Sequence, residues 1–202
     1  MLSHSVRAGD VRVVVIDGRA AGAEHLDQDD GRRFANVIDV LLVRQAEDED
    51  LGVAQRLAAI DPSNTTYYEA RLRDFDARWQ KALAEWDRRA APLKGIRVVP
   101  YHKNLTYLIR WLGLVEAATI ESKPGVPPSA GALSDLLARL KASPADAIAR
   151  AAYDEAKAPE WLAQRTGMPI VVVPYTVGGT PEAKDLFSLF DVTLDRLLAA
   201  KN

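Results

Sequence analysis

Beyond Gly95 the apolar positions follow two alternating rhythms: short β-branched runs, and longer segments whose apolar residues recur every three or four positions. The short runs are IRVVPY (96–101), EAATIE (116–121), DAIARAA (146–152) and PIVVVPY (169–175). The helical segments lie near 104–112, 129–141, 158–166 and 181–199. Strands followed in turn by helices of this length predict right-handed βαβ units, and hence a four-stranded parallel sheet with helices on both faces. Thr180 is placed to cap the last helix, with Pro181 at its first position and Glu182 in its first turn, while Gly178 and Gly179 ease the turn before it. KPGVPPS (123–129) can continue neither a helix nor a central strand, so it reads as a stiff connection ending on a Ser cap.

Ahead of this lobe Tyr68, Leu72, Phe75, Trp79, Leu83 and Trp86 recur at three or four residues. They predict one helix near 63–90, started by Ser63 or Asn64 and stopped by Pro92 and Gly95, roughly 40 Å long. Such a length suits a strut lying across more than one lobe. The first sixty residues are less regular. VRVVVID (11–17) predicts a strand, RRFANVIDVLLVRQ (32–45) an amphipathic helix, and LGVAQRLAAID (51–61) a second helix or a continuation beyond the acidic AEDED. One strand and one or two helices cannot close a sheet-based domain, so this part is expected to pack on something else or to be poorly ordered. The expected organisation is α/β: a partial N-terminal lobe (1–62), a long linking helix (63–92) and a C-terminal lobe with a four-stranded parallel sheet and flanking helices (93–202).

Composition narrows the function classes. With 202 residues, 48% hydrophobic and 27% charged, the chain can bury the core of one large or two small domains. A net charge of −2, with Trp and Tyr scattered rather than interleaved with Lys and Arg, argues against a nucleic-acid partner. The absence of cysteine excludes disulfides, thiolate metal sites and cysteine nucleophiles. The N-terminus has no basic start followed by an apolar stretch, and no run approaches the roughly 18 apolar residues of a membrane span. If complete as written, the chain is expected to stay in the cytoplasm.

Two of the three histidines carry the candidate chemistry. His102 directly follows the first strand of the C-terminal lobe, and in open parallel sheets ligands bind beyond the carboxyl ends of the strands. Imidazole is also a common zinc ligand. The competing reading is an ordinary capping or hydrogen-bonded loop histidine. His25 lies in GAEHLDQDDG, where Asp27, Asp29 and Asp30 make either a metal site or a solvated acidic loop. His4 is near the terminus and carries no argument. VGGTPEAKD resembles a phosphate cradle loosely but lacks the Lys-Ser/Thr of a P-loop, so turn and cap chemistry explain it better. The sequons NTT (64–66) and NLT (104–106) serve equally as helix starts. No nucleophile elbow, zinc-protease motif, calcium loop or dinucleotide fingerprint is present, and no pair of carboxylates is singled out by spacing. The expectation is a binding protein, not an enzyme.

The order of LAAIDPSNTTYYEARLRDFDARW, APLKGIRVVPYHKNLTYLIRWLGL, ATIESKPGVPPSAGALSDLLARLK and VVVPYTVGGTPEAKDLFSLFDVTLDRLLAA resembles the zinc- and manganese-binding substrate-binding proteins of ABC transporters, a group that includes zinc-uptake proteins and metal-binding adhesins. The resemblance covers roughly residues 53–202. It implies two α/β lobes bridged by one long helix, a metal held between lobes, a periplasmic location and delivery to an ABC permease. Such proteins use mostly histidines plus a carboxylate. The resemblance places His102 at the histidine of the C-terminal lobe and His25, through HLD, at a histidine of the N-terminal lobe. The family's carboxylate falls just after the last strand, where this chain has Pro174 and Tyr175. A site of nitrogen ligands favours Zn2+, with Mn2+ second. The resemblance also leaves most of the N-terminal lobe and its first histidine without a counterpart, which implies a truncated or impaired member. The alternative is a remnant of the fold that self-associates through its exposed strut without metal. Since imidazole must be neutral to bind a metal, capture is expected to weaken in acid.

Overall fold

The computed structural model describes the backbone of residues 6–8, 11–16 and 19–21, and residues 52–121 and 125–201 with their side chains. The helix expected at 32–45 and both His4 and His25 lie outside the described residues. Where one strand was expected near the N-terminus there are three: β1 (Val6–Ala8), β2 (Val11–Ile16) and β3 (Arg19–Ala21), paired antiparallel in that order. A helical segment, α1, covers residues 52–60.

The long helix α2 runs over Thr65–Ala90, 26 residues, and a 3-10 turn at Ala91–Leu93 carrying Pro92 ends it. Asn64 occupies its N-cap position without a side-chain cap bond. Instead Asn64 Nδ2 and Ser63 Oγ donate to the two oxygens of Asp61 at 2.6 and 2.7 Å. The aromatic stripe read from the sequence is the buried face: Trp79 and Trp86 are almost fully enclosed, and Phe75 and Leu83 pack beside them.

The C-terminal part is a four-stranded, wholly parallel sheet in the order β5-β4-β6-β7, built from β4 (Arg97–Pro100), β5 (Val115–Glu116), β6 (Ala147–Ala151) and β7 (Ile170–Val173). Its helices are α3 (Thr106–Leu112), α4 (Ala130–Ala142), α5 (Lys157–Thr166) and α6 (Leu186–Ala199). Alternation along the strands sorts the core into two layers. Val98, Ala147, Ala149, Ala151, Val171 and Val173 join the layer that contains α2, α3 and α6. Val99, Ile148 and the partly buried Ile170 join the layer under α4 and α5. The small alanines of β6 therefore face the layer that holds the large Trp and Phe rings.

Two expected boundaries shift. The strand expected at 116–121 is regular only at Val115–Glu116. Ala117 N donates to Val98 O and Ile120 N to Pro100 O, so three residues here answer to two on β4 and the ladder breaks as at a bulge. The last helix begins at Leu186 rather than at Pro181, and its cap is Asp185 rather than Thr180. Asp185 Oδ1 accepts the Ser188 amide at 2.7 Å while Ser188 Oγ accepts the Asp185 amide at 2.9 Å, a reciprocal capping box that fixes the start of the helix there. Ser129 caps α4 as expected, accepting from the Ala132 amide at 3.2 Å.

Candidate metal centre

Each strand of the parallel sheet delivers one polar side chain just past its carboxyl end. Across the sheet these are Glu121 beyond the β5 edge, His102 after β4, Asp154 after β6 and Tyr175 after β7. His102 is extended (φ −119°, ψ 164°) and stands at the N-cap position of a 3-10 turn over Lys103–Leu105, yet its side chain makes no cap bond. The imidazole is left for other partners. Glu121 is brought beside it because Ile120 N and Glu121 N donate to Pro100 O and Tyr101 O, carrying the β5 segment past the end of β4. Asp154 closes the turn after β6, its Oδ2 accepting the Ala151 amide at 2.7 Å while the Arg150 guanidinium donates to the backbone oxygens of Ala151 and Asp154.

The topology selects this place. The connection after β4 leads into α3 in one core layer, and the connection after β6 leads into α5 in the other. Adjacent parallel strands whose connections leave to opposite faces open a crevice between them, where ligands of open α/β sheets bind. His102 and Asp154 stand on its two sides.

The imidazole lies between two carboxylates. His102 Nδ1 contacts Glu121 Oε2, and Nε2 is 3.4 Å from Asp154 Oδ1. The histidine side chain is 30% exposed, whereas those of Glu121 and Asp154 are 5% and 1% exposed. Glu121 Oε2 and Asp154 Oδ1 are buried with no hydrogen bond of acceptable geometry. Buried carboxylate oxygens normally take hydrogen bonds or meet a cation, since an ionised carboxylate loses its hydration on burial. Burial pushes the Asp154 carboxyl above its ordinary value, against the opposing pull of the Ala151 amide and the His102 and Arg150 charges. The donor set, one imidazole nitrogen and carboxylate oxygens, fits a divalent cation. The carboxylates meet opposite edges of the ring, and among the described residues no three His, Asp or Glu side chains converge as a ready-made centre.

Tyr175, at the position where a carboxylate was expected, is buried and holds a positive φ of 70°, a conformation that side-chain-bearing residues seldom adopt. Its ring meets that of Tyr153 edge-on at 5.2 Å, and Tyr153 Oη accepts from Asn104 Nδ2 at 2.9 Å. Burial raises the phenols of both tyrosines above their ordinary value, so each stays a neutral hydroxyl. The turn that follows depends on Gly179, since a Cβ there would lie 2.0 Å from the Pro174 carbonyl oxygen.

Sequence reasoning singled out His102 and missed Glu121 and Asp154. The signal lay in strand order, because only the sequence β5-β4-β6 puts the ends of these three segments side by side.

A family profile described as ZnuA, zinc-uptake complex component A periplasmic, matches residues 43–200. None of the curated proteins matches the chain by sequence. Among solved structures, a crystal structure of ZnuA superposes with a TM-score of 0.69 at 21% identity, over 87% of this chain and 64% of that one. The substrate-binding protein FpvC from Pseudomonas aeruginosa in complex with Mn2+ gives 0.60 at 20% identity, over 80% and 63%. A Cd-bound periplasmic metal binding protein from Candidatus Liberibacter asiaticus gives 0.62 at 15% identity, over 86% and 69%. At such identities these likenesses establish the fold alone, and this chain spans less than two thirds of the first two. None of the described helices is long and apolar enough to cross a membrane. With the profile covering most of its length, the chain belongs to the family of the periplasmic zinc-uptake component ZnuA.

Proposed function

We propose that the chain captures a divalent metal ion at the carboxyl end of its parallel sheet, with His102 as a ligand, and presents it to an ABC permease in the periplasm. The observation that carries this reading is the placement of the His102 imidazole in the switch-point crevice, between two buried carboxylates, one of which, Asp154, turns toward the ring an oxygen that takes no hydrogen bond. Zn2+ is the proposed cargo, ahead of Mn2+, because a borderline ion suits a mixed nitrogen and oxygen site. The family is that of a zinc-uptake component, and similar proteins of known structure are bound to Mn2+ or Cd. His25 is the proposed ligand from the N-terminal segment. The accompanying organisation is a partial N-terminal lobe over 1–62, a linking helix over 63–92 and a C-terminal lobe over 93–202.

Titration of the purified chain with Zn2+ tests the reading. Zinc is expected to bind the wild type and raise its melting temperature, and His102→Ala is expected to lose both effects. Equal binding by the two proteins would remove His102 from the site.

A second reading, self-association without metal, draws on the apolar face of α1 and the start of α2, where Val53, Leu57, Ile60 and Tyr67 are exposed. Dimerisation in chelator with no response to zinc would favour it.

A further inference from the structure

Asp154 is held in a manner that differs from a carboxylate serving only the fold. One of its oxygens, Oδ2, is spent on the Ala151 amide at 2.7 Å, which locks the side chain in the turn after β6. The other, Oδ1, is buried, takes no hydrogen bond and faces the Nε2 edge of His102 across the switch-point crevice. Their separation of 3.4 Å is too long for a good hydrogen bond. It agrees with the edge of a tetrahedral site: two donors each about 2.0–2.1 Å from a zinc-like ion lie roughly 3.3–3.4 Å apart. Glu121 lies on the opposite edge of the same ring, at Nδ1. A metal-bound histidine commonly donates its other ring N–H to a carboxylate, which fixes the tautomer and the ring orientation.

We infer that Asp154 is itself a metal ligand, sharing the ion with His102 Nε2, and that Glu121 is a positioning residue that holds the imidazole through Nδ1. This rests on the metal-capture reading and deepens it. The carboxylate expected after β7 is replaced here by Tyr175, a neutral phenol, and Asp154, at the end of the adjacent strand β6, supplies the missing oxygen from the other side of the crevice. The described part of the chain thus provides two donors, with the remaining positions left to solvent. One nitrogen and one carboxylate oxygen make a site for a small divalent ion of the zinc or cobalt type.

The chain has no cysteine, so a thiolate can be placed at one position at a time without ambiguity. Asp154→Cys and Glu121→Cys are loaded with Co2+ and read for the thiolate-to-cobalt charge-transfer band in the near ultraviolet. The longer metal–sulfur bond, about 2.3 Å for zinc, offsets the shorter side chain. The band is expected with Asp154→Cys and not with Glu121→Cys. Asp154→Asn, which keeps an oxygen for the Ala151 amide, is expected to bind Zn2+ at least roughly tenfold more weakly, and Glu121→Ala to lose roughly ten- to a hundredfold with partial recovery in Glu121→Gln. A cobalt-loaded Asp154→Cys without the band, or Asp154→Asn that binds Zn2+ as tightly as the wild type, would overturn ligation by Asp154. A band from Glu121→Cys would overturn its positioning role. If these results appear while His102→Ala still abolishes binding, the inference fails alone. If the wild type binds neither ion, or His102→Ala binds as well as the wild type, the capture reading fails and takes the inference with it.

Discussion

The seam between α2 and α6 and the carboxyl edge of the sheet are built differently. In the seam, Trp79, Trp86, Phe187 and Phe190 meet at ring centroid distances of 4.8–6.2 Å. Polar groups along it are paired: Trp86 Nε1 donates to Asp191 Oδ1 at 2.9 Å, and the Arg89 guanidinium bridges Asp191 and Asp195 at 2.5 and 2.6 Å. At the sheet edge, two carboxylates are buried with oxygens that no hydrogen bond satisfies. The seam is what burial of apolar surface with satisfied polar rims produces, and it stabilises the fold. The edge costs stability, and such a cost persists where a ligand repays it.

The sharpest test of the contrast removes the centre of the seam. Trp86→Ala deletes a ring with contacts to Trp79, Trp111, Phe187 and Phe190 and leaves Asp191 without its indole donor. The expected loss is about 3–5 kcal/mol in urea denaturation followed by circular dichroism. The zinc affinity of the folded fraction is expected to change by less than about tenfold, since this is an internal packing change and not a loss of ligand. A loss of affinity as large as that of His102→Ala would show that the two regions are not independent.

The edge predicts the reverse sign. Asp154→Asn removes a buried charge but keeps an oxygen for the Ala151 amide, so the metal-free protein is expected to become more stable by about 1–2 kcal/mol. Thermal melts in chelator and in excess Zn2+ read both halves: a higher midpoint without metal, and a smaller rise on adding it. A less stable metal-free Asp154→Asn would place Asp154 with the seam, as a residue kept for structure.

The sequence made these regions legible to very different degrees. The seam is written as a period: Phe75, Trp79, Leu83 and Trp86 recur every three or four residues, which specifies a helix face whatever it packs on. The parallel sheet is legible for the same reason, from β-branched runs between helical segments. His102 was conspicuous because histidines are few and this one follows a strand. Glu121 and Asp154 were not, because they are two among 28 acidic residues, separated in sequence from each other and from His102, and joined only by strand order. The start of α6 was misplaced for a local reason. Thr180-Pro181-Glu182 carries a good capping signature, but Asp185 and Ser188 form a reciprocal box four residues from the expected first turn, and the chain starts its helix there.

That box supplies the smallest effect and the closest control for Asp154, because it concerns the same side chain in the opposite situation. Asp185 is exposed, and the Ser188 amide, followed by the Ser188 hydroxyl, holds its carboxyl below the ordinary range, whereas burial holds that of Asp154 above it. A carboxyl lowered on folding stabilises the native state above its unfolded value, and this contribution is lost as pH falls through the folded value. Asp185→Ala is therefore expected to cost about 1 kcal/mol at neutral pH. The difference from wild type should shrink as pH drops below about 3.9, the unfolded value, because protonation then disables the cap in the wild type as the substitution does in the variant. Denaturation midpoints of the two proteins between neutral pH and the acid limit give the comparison. Neutralising Asp185 should weaken the fold and neutralising Asp154 should strengthen the metal-free form; if both changes act in the same direction, the unsatisfied carboxylate at the sheet edge is not the cost that a bound cation would repay.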